Sequence, residues 1–589
     1  MTGLDLDAIL RQADFAQPEK QKGKIVYLVA NGDLRDSANQ VCWPEQEKME
    51  AAVKEAFNDR GYQVIRAHQY DPKLKHGFIN SQAMGNQVFH DIPVDATVVV
   101  AESVWEYSHH ILGALVGRHD GKILTIANYS GTHPGLVGMS NLNASLLKHG
   151  RDFATVWSED FTDDKFNRRL NQFLKKGFIN YDHSHIHDWN DMSDKDLDKY
   201  AKAMEIGEAF ARRLLLERAI MGPLDEMCMG MENAVIPNDL LYHIGIGKEN
   251  ISQSELLSEM RKVSRSEAKG VIEWCRKEGM TFHTEPKDPA KGPNETTDLT
   301  ERQLLEQGRM YVAAVRIAEK YGLNVIGIQY QQGLKDCCAA SDLAEGLLNN
   351  PHRPPVTSLV TGNFIRPGRA IPNMNEVDQG CGVDLVLSDL IWNAFGEDPS
   401  ANQEDVRWSR PYSGEAMSST GRKVKLDNEE VWVELLSGSA PASQFAKGYK
   451  SAHGYRQPGM YFPLGGSTLS GEGKPGEVVV SRVFIDSDGS LSMNLMRGAV
   501  VGLPHKETQD RLDLTTPQWP IKSLVRYGVD RDAMIQHPSN HETVLYASSA
   551  DMANTLMFAK AAMANALGMN TYRWGNHDLS SSIEAKSRR

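Results

Sequence analysis

A chain of 589 residues is too long for one hydrophobic core, so two to four domains are expected. With 64 Lys and Arg against 77 Asp and Glu, the formal net charge of −13 disfavours nonspecific binding to nucleic acid or an anionic membrane and suits a soluble enzyme of small molecules. Six cysteines, two of them adjacent at Cys337 and Cys338, are too scattered for a disulfide framework, so reduced thiols and a cytoplasmic location are expected.

The N-terminal MTGLDLDAILRQADF is acidic and amphipathic, with neither the basic nor the apolar region of a secretory leader. No apolar run reaches the ~18 residues of a spanning helix. Residues 1–23 read as a loosely held arm. From Lys24 the runs KIVYLVA, YQVIRA, ATVVVA, KILTIAN and FATVW alternate with helical stretches such as PEQEKMEAAVKEAF and WEYSHHILGALVG. Five such repeats, over 24–182, imply a parallel sheet covered on both faces. Ligands bind beyond the carboxyl ends of such strands, where Asn31, Asp33, Arg35, Glu102, Trp105, Glu106, Asn128 and His133 fall.

At YDHSHIHDW the pattern breaks. His183, His185 and His187 alternate there, but nothing nearby supplies an oriented carboxylate shell, so a polar linker is the better reading. A second α/β unit, 183–355, opens with a helix near Lys195–Ile220. ELLSEMRKVSRSEAKGVIEWCRK reads as one further helix and ERQLLEQGRMYVAAVRIAEKYG as another, with Leu304, Tyr311, Val315 and Ala318 as the latter's buried stripe. The unit ends in the strand-like Asn324–Tyr330 and a short helical segment carrying Glu345. From 356 to 589 the texture is β-rich, with EVWVELLS, EVVVSRVFID and SLSMNLMRGAVVG between turns, a closing helix over Asp551–Leu567 and a frayed tail, SSSIEAKSRR. The fold class expected is α/β: two Rossmann- or flavodoxin-like parallel-sheet domains followed by a β-rich C-terminal domain.

Gly471, Gly473 and Gly476 satisfy G-x-G-x-x-G, but a strand-like run follows where a dinucleotide site needs a helix, so the motif is read as a turn. More informative are the acidic residues beside buried-looking segments. Glu345 is one; Glu376 and Asp378 stand near Gly380 and Gly382, ahead of a short apolar run at Leu385–Leu387 taken as a strand. His537 and His541 precede ETVLYA, a strand-like run. Carboxylates and a histidine drawn together from distant segments suit a divalent cation of the Mn or Mg type.

ASDLAEGLLN, NEVD, TTPQWP and SNHETVLYA, in that order, resemble the landmarks of the L-fucose isomerase family, which is related to the L-arabinose isomerases. The resemblance implies a metal held by Glu345, Asp378 and His541, with Glu345 and Asp378 also carrying protons. It implies Mn2+ as the ion, with Mg2+ or Co2+ as alternatives. Sugar contacts are implied at Trp519, Asn540, Gln331 and Gln332, and more weakly at Arg35, Trp105 and Tyr461. A homo-oligomer, a hexamer in this family, is implied too, with Arg35 and Trp105 completing a neighbour's site. The stretch between Glu345 and Asp378, containing NNPHRPPV and FIRPGR, is longer than the family pattern and leaves the sugar unidentified.

The chemistry expected is aldose–ketose isomerisation of a fucose- or arabinose-type sugar, in which a proton moves between C1 and C2 through an enediolate stabilised by the metal. Two alternatives stand beside it: a non-catalytic sugar-binding protein, and a lyase or epimerase applying the same enediolate logic to a modified sugar.

Overall fold

The computed structural model describes residues 7–8, 20–21, 23–227, 229–284, 299–435, 439–515, 521–531, 534, 540–576 and 579–586. The expected sites at Trp519 and His537 lie outside them, as does most of the 1–23 arm.

The first unit is a parallel sheet of five strands: β1 (Ile25–Val29), β2 (Gln63–Arg66), β3 (Thr97–Glu102), β4 (Ile123–Asn128) and β5 (Ala154–Ser158), in the order 2-1-3-4-5. Alternation along the strands divides the core. Val26 and Leu28 of β1 pack with Phe57, Phe166 and Leu170 on one face. Val29, Val98 and Val100 pack with Phe89 and Leu112 on the other.

Residues 186–188, expected in a linker, form β6 (Ile186–Asp188) on the edge of the C-terminal sheet. A small parallel sheet follows, of β7 (Ala219–Leu224), β8 (Ile246–Lys248) and β10 (Val325–Ile328) in the order 10-7-8. The two-residue β9 (Thr281–Phe282) instead joins a sheet with β13 (His453–Arg456) and β14 (Ser467–Ser470). The stretch read as one helix around Val263 is two, Gln253–Lys262 and Arg265–Glu278. Ser264 divides them because its side chain accepts from Glu267 N while Glu267 answers its backbone, a reciprocal cap.

The C-terminal strands are β11 (Ala401–Met417), β12 (Lys423–Leu435), β15 (Gly476–Ile485), β16 (Leu491–Val500), β17 (Ile521–Arg526) and β18 (Glu542–Ala547). They pair antiparallel in the order 15-18-11-12-17-16, and β16 returns to β15, so the six close into a barrel. β19 (Asn570–Trp574) adds outside β16, and β6 outside β19. Leu545 of β18 packs outward with the helix Ala550–Ala566, so Glu542 and Val544 face inward. Cross-strand pairing sets Glu404 against Glu542 and Glu434 against Lys522. Fully buried there, Lys522 bonds Glu404, and Arg526 bonds both Glu434 and Glu542.

Two sequence readings are corrected. Leu385–Leu387 lie in the helix Gln379–Ala394, not a strand; both faces of that helix are buried, which hides helical periodicity. The tail read as frayed contains the turn Ile583–Lys586, with Ile583 fully buried and its N–H donating to Tyr527 Oη at 2.8 Å.

Candidate functional site

A cavity lies where the carboxyl edges of both α/β units meet one end of the barrel. Arg35, Trp105 and Pro134 line it from loops of the first sheet. Met229 and Gln331 come from the middle unit, and Glu376, Asp405, Arg407, Tyr461, Phe462 and His541 from the remainder.

His541 is the hub. It immediately precedes β18, is 1% exposed, and uses its two ring nitrogens differently. Nδ1 meets Asp378 Oδ2 at 3.1 Å, while Nε2 faces Asp405 Oδ1 at 3.4 Å and Glu376 Oε2 at 3.5 Å. Burial opposes a charge on the ring, but the hydrogen bond that Nδ1 donates to Asp378 and the three surrounding carboxylates outweigh it and raise the pKa.

Asp378 sits behind this ring, away from the cavity lining. Its Oδ1 caps the helix Gln379–Ala394 by accepting from Cys381 N at 3.2 Å. Its Oδ2 takes Arg482 as well as His541. Burial would raise this carboxyl, yet Arg482 and His541 hold it down at about 2.

Glu376 reaches the cavity through unusual backbone: Glu376 and Val377 have φ of 55° and 65°, two successive non-glycine residues in the left-handed region. Such conformers cost about 1–3 kcal/mol each and cluster at functional sites. The turn lets neighbouring carboxylates separate, Glu376 into the cavity and Asp378 to the helix cap. Gln331 Nε2 donates to Glu376 Oε1 at 2.8 Å. Burial pushes Glu376 up to about 8, with Asp405 and Glu345 raising it and His541 opposing.

Glu345 stands one layer back. It lies in the helix Asp342–Leu348, buried, and its Oε2 accepts from Asn373 Nδ2 at 3.2 Å. Burial pushes it up to about 8, and Asp342 beside it, also at about 8, adds repulsion. It does not line the cavity. Of the expected residues Glu345, Asp378 and His541, only His541 lines the cavity; the carboxylates that face its Nε2 there are Glu376 and Asp405. Asp405 escaped sequence reasoning because QEDVRW reads as an exposed charged run. No alternation marks it, because residues 401–409 of β11 are buried on both faces and the strand bulges between Val406 and Trp408.

Of the expected sugar contacts, Arg35, Trp105, Gln331 and Tyr461 line the cavity. The Arg35 guanidinium is forked onto Asp33 at 2.7 and 2.8 Å and lies 4.7 Å from the centre of the Tyr461 ring. Trp105 stacks parallel to His541. Both residues were expected to close a neighbour's site, whereas each lines the cavity of its own chain. Asn540 is buried beside Asp405. Gln332 lines a larger outer recess of about 940 Å3 with Lys335, Ser37 and Met460. Arg35 and Tyr461 border both spaces.

Among the described residues no group of three or more His, Cys, Asp and Glu side chains already has metal-binding geometry. Neighbouring ligands on a small dication with ~2.1 Å bonds lie about 3 Å apart, close to the 3.4 and 3.5 Å found about His541 Nε2. Asp405 Oδ1 is also buried without a hydrogen-bond donor. Two carboxylates and one imidazole whose far nitrogen is held by a third carboxylate fit a hard or borderline dication.

No protein-family model matches this sequence, and no curated protein matches it significantly.

Proposed function

We propose that the chain is a divalent-metal-dependent aldose–ketose isomerase. One arrangement carries this reading: His541 Nε2 stands 3.4 Å from Asp405 and 3.5 Å from Glu376 in a small, mostly buried cavity. The order 2-1-3-4-5 of the first sheet supports a flavodoxin-like reading of that unit.

Glu376, Asp405 and His541 would hold the ion, Mn2+ being favoured by two oxygens and one nitrogen. When bound, a cation of this kind polarises a carbonyl and favours enediolate charge. Asp378, held at about 2, is a poor base at neutral pH; its part is to aim His541 Nε2 at the cavity. Glu376, the carboxylate that enters the cavity beside His541, is placed to exchange a proton with the substrate. It takes the proton from C2 as the C1–C2 double bond forms and O1 receives the displaced carbonyl pair; the proton is then returned to C1 while the O2 hydroxyl proton passes to O1 and the carbonyl forms at C2. Glu345 does not touch the sugar; its charge and Gln331's hydrogen bond tune Glu376. Trp105 and Tyr461 offer apolar faces to ring carbons, and Arg35 and Arg407 offer donors to hydroxyls.

Two arginines in so small a space also favour a second reading, a lyase or epimerase of an acidic sugar. An NMR product screen over aldopentoses, 6-deoxyhexoses and acidic sugars, in D2O with Mn2+, tests both. Ketose carrying deuterium at C1 supports isomerisation. A dehydrated or epimerised acid supports the alternative, and binding without product leaves a sugar-binding protein.

A further inference from the structure

Every residue lining the His541 cavity is buried, and the most exposed of them, Met229 and Glu376, reach only 8%. Its walls must therefore part before a sugar can pass. The outer recess is different, because Leu34, Ser37 and Pro463 on its lining are exposed to solvent. Among the described residues, Arg35 and Tyr461 alone line both spaces. That pair of side chains is the common wall between an open recess and a closed cavity.

The two members of the wall are held differently. Arg35 is fixed at three atoms: its backbone N–H and Nε donate to Asp33 Oδ1 at 2.7 and 2.8 Å, and Nη2 donates to Oδ2 at 2.7 Å. Asp33 is itself fully buried. Tyr461 stands in the turn between β13 and β14, whose backbone is fastened around it. The Met460 carbonyl accepts from Ser37 Oγ at 2.6 Å, and the N–H groups of Tyr461 and Phe462 both donate to the Pro458 carbonyl, at 3.2 and 3.0 Å. Phe462 stacks on the buried Tyr330 with ring centres 5.5 Å apart. The Tyr461 ring, by contrast, rests on the Arg35 guanidinium, 4.7 Å from its centre. Rotation about the side-chain bonds breaks that contact and leaves the backbone where it is. The ring already borders the recess, so the space to receive it is present.

We propose that Tyr461 is the gate of the cavity: its ring swings off Arg35 into the outer recess, opens the common wall, and admits a hydroxylated solute from the recess to His541. Arg35, pinned by Asp33, is the fixed post against which the ring closes again. The recess suits such a solute, since Asp36, Ser37, Gln332 and Lys335 line it and exchange hydrogen bonds with hydroxyls. Closure after entry shuts water out of the site, the usual service of a gate over a reacting centre. The inference rests on the reading of this cavity as the reacting site, but not on which reaction occurs there, and its test measures entry without turnover.

A thiol placed in the cavity reports entry. In the full chain carrying Gln331→Cys, the rate of alkylation at position 331 by iodoacetamide is followed by peptide mass spectrometry, with the buried Cys275 of the helix Arg265–Glu278 as an internal control. Adding Tyr461→Ala should speed labelling at 331 about tenfold or more, whereas Tyr461→Phe, which keeps a ring on Arg35, should stay within about twofold. Adding Gln332→Trp, which fills the recess and leaves the cavity lining intact, should slow it. Cys275 should react at one rate throughout. If Gln331→Cys does not fold, Glu376→Cys gives the same reading. The gate is overturned if Tyr461→Ala is labelled no faster, if Gln332→Trp is labelled as fast as its parent, or if Cys275 accelerates in step with position 331, which would assign the rise to a general loosening. A chain that gives the expected pattern and yet converts no sugar keeps the gate and loses the isomerase.

Discussion

Trp105 and His541 lie parallel, ring centres 6.5 Å apart and planes within 6° of each other. One comes from a loop of the N-terminal sheet and the other from the edge of the barrel, so the contact fixes how the two parts present a common cavity. Trp105 Nε1 donates to the Met229 carbonyl at 3.2 Å, which ties the middle unit to the same point. Trp105→Phe keeps a ring and should bind sugar within a few-fold of wild type. Trp105→Ala opens the wall and should lose roughly 3 kcal/mol of stability or more. Calorimetric titration beside urea melts separates the effects; equal behaviour of the two variants would remove the ring from the account.

The split use of His541 gives a sharper test. Asp378→Asn should weaken Mn2+ binding about 10- to 100-fold, the usual effect of losing a group that orients a ligand. Asp405→Asn and Glu376→Gln should weaken it more, because they remove donors. Glu345→Gln should leave affinity nearly unchanged. Electron paramagnetic resonance of added Mn2+ reads all four. An Asp405→Asn variant with wild-type affinity, beside a Glu345→Gln variant without any, would restore the ligand set expected from the sequence resemblance.

Breaking the barrel's inner charge cluster should be expensive. Lys522→Met leaves Glu404 and Glu434 facing a buried hydrophobe, and removing one partner of such a pair costs about 3–5 kcal/mol. Adding Glu404→Gln removes the stranded charge and should recover part of that loss. Urea unfolding of the single and double variants measures the difference; a double variant no more stable than Lys522→Met would contradict it.

His68 makes stability depend on acid. Its Nε2 accepts from Ala30 N at 3.1 Å, and burial, with Arg66 close by, lowers its pKa to about 3 from the ordinary 6.5. Between those values the unfolded chain binds a proton that the folded chain refuses. Stability is therefore intact above 6.5 and is lost as pH falls toward 3, by up to about 1.4 kcal/mol per unit. His68→Gln should flatten the pH 6.5–4.5 slope of urea midpoints; an unchanged slope assigns the acid sensitivity elsewhere.

The sequence was most legible where one period dominates. β1 through β5 stood out as short β-branched runs, and the stripe of Leu304, Tyr311, Val315 and Ala318 marked its helix. It misled where both faces are buried: the helix Gln379–Ala394 has no polar face, so Leu385–Leu387 looked like a strand. The site was half legible. His541 and the NEVD turn drew attention as polar groups beside apolar segments, but the choice between Glu376 and Asp378 depends on the positive φ of Glu376 and on Arg482, 104 residues further along. Neither a backbone twist nor a partner at that distance is written in local composition. Asp405 was hidden by its charged neighbours: Glu404 points into a barrel that no single strand reveals, and Arg407 shares the cavity with Asp405.

One pairing bears on the order in which the molecule can be made. β6 is held by β19, and His187 bonds the Gly575 carbonyl across 388 residues of sequence. On the ribosome, residues 186–188 emerge long before residues 572–574, so the segment joining the two α/β units must wait, with its strand edge open, until β19 has been made.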